Sequence, residues 1–165
     1  MPESRIDIAD SLISTIWKTA KGFRDSGAAV NPVAQVWSLK NRGVNFVNPP
    51  QNIEDPHARK SLWAEGIREV KKSQGADMVL MIIEAWAPPV GFGLEALNLH
   101  MHGIPIQDLP GRRELLMLAA ETAWGTQRTL VCEIKDNQLS QEEKDTGWEP
   151  LTATGRLSGW FSEEL

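Results

Sequence analysis

Two stretches decide how this chain folds: Met78-Val79-Leu80-Met81-Ile82-Ile83-Glu84-Ala85-Trp86 and Leu115-Leu116-Met117-Leu118-Ala119-Ala120-Glu121-Thr122-Ala123-Trp124. A third apolar run, Thr129-Leu130-Val131-Cys132-Glu133-Ile134, follows the turn signal at Gly125. Strands this apolar need cover on at least one face, so residues 76–135 hold the core and predict an antiparallel sheet. The turn Trp124-Gly125-Thr126-Gln127 predicts a short hairpin between the second and third strands. Residues 88–112 between the first two strands are too many for a hairpin loop, and predict a long excursion or lid.

Working outward, Asp55-Pro56 predicts a helix start, an N-cap followed by proline in the first turn. That helix runs through Leu62, Trp63, Ile67 and Val70 to a stop at Gly75, with Lys71 and Lys72 suited to its negative end. An earlier helix is predicted from a cap at Asp10 or Ser11. Ile8, Leu12, Ile13, Ile16, Trp17, Ala20 and Phe23 form its apolar face. Residues 26–56 are rich in breakers and read as loop, with Val33–Leu39 as a short strand inside them; residues 136–150 read as a solvated acidic loop. Leu157, Trp160 and Phe161 bring apolar anchors back to the body. The expected fold is α+β, one domain over 1–165, with a small antiparallel sheet of three to five strands and both N-terminal helices packed on one face.

At 165 residues with 41% hydrophobic and 24% charged residues, the chain has the composition of a single globular domain. A net charge of −5 argues against a nucleic-acid footprint. Cys132, the single cysteine, excludes an internal disulfide framework and reads as a packed small hydrophobe. The N-terminus shows no secretory pattern and the longest apolar run, Met78–Ile83, is too short to span a bilayer; a cytoplasmic protein without membrane contact is expected. Seven tryptophans spread over the whole length suggest core anchors more than one aromatic platform.

Glu-Ala-Trp at 84–86, Pro-Gly-Arg-Arg-Glu-Leu-Leu-Met-Leu-Ala-Ala-Glu at 110–121, the glycine at 125 and Gly-Arg-Leu-Ser-Gly-Trp-Phe at 155–161 form an ordered set. In this order the second half of the chain resembles a family of small uncharacterised proteins from bacteria, phages and mobile gene cassettes. The resemblance implies an α+β fold and a bacterial or phage origin, and carries no known activity. Family members usually have a histidine before the proline of the central motif and an acid after its last glutamate; Leu109 and Thr122 stand there in this chain.

Two constellations could carry chemistry. Glu84 and Glu121 would form an acid/base pair or the start of a cation site if the strands bring them to one face, with Glu133 nearby. The plainer alternative is that each pairs with Arg112, Arg113 or Arg128 where its strand leaves the core. His100-Met101-His102 could offer two metal ligands on one side of an extended segment, completed by Glu84 or Glu121, or could be two solvent-facing imidazoles. Gly91-Phe92-Gly93 lacks the spacing and the following Lys-Ser/Thr of a phosphate cradle, so no cofactor is expected. No Gly-x-Ser-x-Gly elbow is present.

With no complete catalytic set, the favoured expectation is a non-enzymatic binding or accessory protein acting by protein–protein contact. Trp86, Trp124 and Phe92 would be its contact residues and a symmetric homodimer its simplest assembly. The rival is a small hydrolase or isomerase using Glu84 and Glu121 as acid and base, metal-assisted through His100 and His102 under the 88–112 excursion.

Overall fold

A computed structural model describes residues 4–87, 102, 103, 105–152 and 157–161. Among these, an antiparallel sheet lies between two helices, one on each face. The elements run α1 (Arg5–Asp25), β1 (Val33–Ser38), β2 (Gly43–Val47), α2 (Pro56–Gln74), β3 (Met78–Ala87), a short 3-10 turn (Ile106–Asp108), β4 (Arg113–Thr122), β5 (Thr126–Lys135), β6 (Gln138–Asp145) and β7 (Glu149–Pro150). The strand order is β2-β1-β3-β4-β5-β6, and β7 pairs with β5 beyond the end of β6. No helix of the described residues is long and apolar enough to cross a membrane.

The sheet has seven strands, more than the three to five expected. The additional ones are edge elements. β2 has no fully buried residue, and β6 is Gln138-Leu139-Ser140-Gln141-Glu142-Glu143-Lys144-Asp145, with no apolar alternation to announce a strand. Both are held by backbone ladders to better-marked neighbours, β1 and β5.

The helices do not share a face, which corrects the expected packing. Even-numbered residues of β3 (Met78, Leu80, Ile82) pack with Leu116, Leu118, Ala120 and the Ile8, Ile13, Trp17 stripe of α1. Odd-numbered residues (Val79, Met81) pack with Trp63, Ala64 and Ile67 of α2 and with Trp160 and Phe161. Alternate residues of a strand point to opposite sides, so the two clusters are the two faces of one sheet. Residues Met78–Ile82 are all buried because both faces of β3 are covered.

The predicted caps of α2 are those found. Asp55 accepts a hydrogen bond from His57 N at 3.1 Å, and Gly75 ends the helix at φ 58°, ψ 39°, a left-handed conformation suited to glycine. α1 begins earlier than the Asp10 or Ser11 cap expected: Ser4 is its N-cap, accepting from Asp7 N. Asp10 instead lies mid-helix and reaches outward, accepting from Arg128 Nη1 at 3.0 Å and Trp148 Nε1 at 2.6 Å.

Candidate functional site

The β3–β4 register fixes where the two glutamates point. Glu84 stands opposite Leu116, and Glu121 opposite Val79. Directly opposed residues of an antiparallel pair share a face. Glu84 is therefore on the α1 side and Glu121 on the α2 side, separated by five residues along β3, about 17 Å. They cannot share a proton or a cation, and the expected carboxylate pair does not form.

Each carboxylate has a structural occupation instead. Glu84 Oε1 accepts from Val30 N at 2.9 Å and lies 3.4 Å from Nε of buried Arg24, whose Nη2 reaches Asn137 Oδ1 at 2.5 Å. These contacts tie the loop between α1 and β1 to the middle of the sheet. Arg24 was not legible as a partner, because an arginine in the last turn of a helix ordinarily serves the helix dipole in solvent.

Glu121 is only 5% exposed and holds the C-terminal segment by a double clasp. Its Oε2 accepts from Gly159 N and its Oε1 from Trp160 N, both at 2.9 Å. Gly159 sits at φ 71°, which lets successive N–H groups converge on one carboxylate. Burial pushes the Glu121 carboxyl above its ordinary range; the two backbone donors and the Arg68 and Lys71 charges act the other way. The guanidinium of Arg68 lies over the Trp160 ring and the ammonium of Lys71 over the Phe161 ring, at 5.0 and 4.9 Å. Among the described residues, neither Arg112 nor Arg128 is a hydrogen-bond or ion-pair partner found for either glutamate. Leu109 and Thr122, flanking the central motif, are also buried. Leu109 is fully enclosed, and the Thr122 hydroxyl closes the β4–β5 hairpin against Thr126 Oγ1 at 2.8 Å.

Phe92 and His100 lie outside the described residues, and so does most of the 88–112 excursion. His102 is exposed in a turn. Among the described residues no three or more His, Cys, Asp and Glu side chains gather in a way that could hold a metal ion. Cys132 is buried in the α1-side core, its Sγ 3.0 Å from Ser140 O, and burial raises its thiol, which suits a packed group more than a nucleophile.

The two candidate tryptophans are separated as well. Trp86 stands near the end of β3 where Ala87 meets Arg113, whereas Trp124 follows the end where Thr122 meets Met78, eight residues away along β3 or about 27 Å. Trp124 packs on the α1-side core with the Arg5 guanidinium over its ring. Trp86 is 43% exposed, under the Arg112 guanidinium at 4.9 Å.

Trp86 borders a groove of about 820 Å³ between the N-terminal end of α2 and the end of β3. Ile83, Ala85 and Trp63 give it an apolar wall, Pro32, Pro49, Pro56 and Pro105 stiffen its margins, and His57, Arg59 and Lys60 stand on one bank. Glu54 and Glu84 also line it, together with His57, so carboxylates and an imidazole border the groove, while no serine, threonine or cysteine is among its described lining residues. Such a groove can take a side chain or short segment of a partner. Comparison with protein-family models, curated proteins and solved structures finds no match for this chain.

Proposed function

We propose that this is a non-enzymatic binding or accessory protein that acts by protein–protein contact, using the groove beside Trp86. The reading extends to a symmetric homodimer as the simplest assembly and to the bacterial or phage setting implied by the resemblance. The observation that carries it is the placement of Trp86. A half-exposed indole, stacked by Arg112 and set on the margin of an apolar groove, has the character of interface anchors, where Trp and Arg are over-represented. Proline-rich margins add to this, since a wall already rigid loses little entropy when a partner seats.

The test compares Trp86→Ala with Trp124→Ala by sedimentation velocity over a concentration series, with thermal unfolding alongside. The expected result is a dimeric wild type, a Trp86→Ala chain shifted toward monomer by at least tenfold in Kd at nearly unchanged melting temperature, and a Trp124→Ala chain that is less stable. Truncating a true anchor costs about 2 kcal/mol or more, which is the origin of that factor. A wild type that stays monomeric overturns the homodimer. A Trp86→Ala chain that associates as the wild type does overturns the choice of surface.

A further inference from the structure

A second cavity, of about 330 Å³, opens on the α1 face between α1 and β1. Its walls are Ile16 and Ala20 of α1 with Val33 of β1 and Ile82 of β3, and Phe23, 59% exposed, stands at its margin. None of the side chains lining it is charged. One is polar and almost completely buried: Gln35, only 8% exposed.

The orientation of the Gln35 carboxamide follows from its neighbour. Trp37 Nε1 lies 3.0 Å from Gln35 Oε1. An indole N–H can only donate, so the oxygen of the amide must be the end turned toward Trp37. Trp37 lies further along β1 on the same face and does not line the cavity, whereas Val33, two residues the other way, does. The amino end is the one left to the cavity that Gln35 lines, and no protein acceptor is found for it among the described residues. The amino group is not sealed from solvent, since the one buried side-chain nitrogen or oxygen without a partner among the described residues is Arg24 Nε. Water in the cavity can serve it, and an acceptor carried by a guest would replace that water. Thr19, on the α1 side of the cavity, already donates its hydroxyl to Thr15 O at 2.9 Å and retains only acceptor capacity.

We infer that this cavity is a binding site for a small, uncharged, mainly apolar molecule carrying one hydrogen-bond acceptor, a ketone, ester or lactone oxygen, received by the Gln35 amino group. The absence of charged lining disfavours carboxylates and amines, which would lose their hydration without a counter-charge. The volume is at the lower end of ordinary ligand pockets, which limits the guest to about one ring with a short substituent. The site lies on the α1 face and shares no lining residue with the Trp86 groove at the end of β3.

The test uses acetophenone and its isosteric hydrocarbon α-methylstyrene, titrated separately into ¹⁵N-labelled full-length protein and followed by ¹H–¹⁵N correlation spectra. The expected result is a shift of the backbone signals of the cavity with both compounds, a shift of the Gln35 side-chain amino pair with acetophenone only, and affinity for acetophenone about three- to tenfold the higher, the range one neutral hydrogen bond supplies. In Gln35→Leu the two compounds should bind equally, with α-methylstyrene no weaker than in the wild type. Thr19→Trp, a change at an exposed position on the cavity's margin, should abolish both. If neither compound moves the cavity signals, there is no site. If both bind the wild type equally and leave the Gln35 amino pair unmoved, the carboxamide does not select an acceptor and the inference fails. Should Gln35→Leu not fold, the wild-type preference and the response of the Gln35 amino pair still decide.

Discussion

Glu121 shows how a residue that looks like chemistry can be architecture. A carboxylate near the end of a buried strand is costly unless donors converge on it, and here two backbone N–H groups do, from a segment 38 and 39 residues later in the chain. Glu121→Ala would leave Gly159 N and Trp160 N without their acceptor, at about 1–3 kcal/mol for each buried donor. The expected outcome is a stability loss of about 2–4 kcal/mol in urea unfolding, with amide exchange at Gly159 and Trp160 accelerated to the rate of an open segment; protection retained at both amides would refute the clasp. The pH dependence has a definite sign. Because burial raises the folded-state carboxyl above its unfolded value, the contribution of Glu121 is full below the ordinary carboxyl range and declines as pH rises through the raised value. The gap between wild type and Glu121→Ala should therefore narrow as pH increases. The strand pattern placed Glu121 correctly with Leu115, Met117 and Ala119. It could not say which face of the neighbouring strand that face would join, since register is set by pairing and not by either strand alone.

At the scale of elements, what could be read in advance follows what each element buries. α2 announced itself through Asp55-Pro56 and Gly75, local signals that need no tertiary partner. β3, β4 and β5 did so through apolar content. The unbroken Met78–Ile83 run also held the information that both faces are covered, because a strand with one wet face alternates. β6 was illegible because charge, not apolar area, docks it. Glu143 accepts from Trp17 Nε1 at 3.2 Å and pairs with Lys21, and Asp145 pairs with Arg128 at 2.6 Å. The Lys21 and Trp17 donors hold the Glu143 carboxyl below its ordinary range, and Arg128 does the same for Asp145. Here the sign is opposite to that of Glu121: the stabilisation is full above the unfolded carboxyl pKa, about 4, and is lost as pH falls through the lowered values. Glu143→Gln combined with Asp145→Asn should lower the urea midpoint at neutral pH and converge on the wild type in acid. A gap that stays constant from neutral to acid pH would show that these ion pairs do not hold the edge.

For the molecule as a whole, the two faces are closed differently. The α1 face is covered by one 21-residue helix whose Ile8, Ile13, Trp17 and Ala20 stripe comes from contiguous sequence. The α2 face needs two pieces far apart in the chain: Trp63, Ala64 and Ile67 from α2, and Trp160 and Phe161 from the segment clasped by Glu121. Phe161 is completely buried there, under the Lys71 ammonium. Removing its ring takes away transfer free energy and leaves a cavity that a sheet and a capped helix cannot easily collapse to fill, a change of about 3–5 kcal/mol for a buried phenylalanine. Trp86→Ala alters a half-exposed group and should cost much less, although tryptophan is the larger side chain. Side by side in urea, the expected order is a large midpoint shift for Phe161→Ala at an unchanged slope and a small one for Trp86→Ala. Equal shifts would make Trp86 a core residue and remove the basis for its role in contact. A reduced slope for Phe161→Ala would instead mean that the α2 face opens on its own before the rest, so that the two faces are separate cooperative units joined by one sheet.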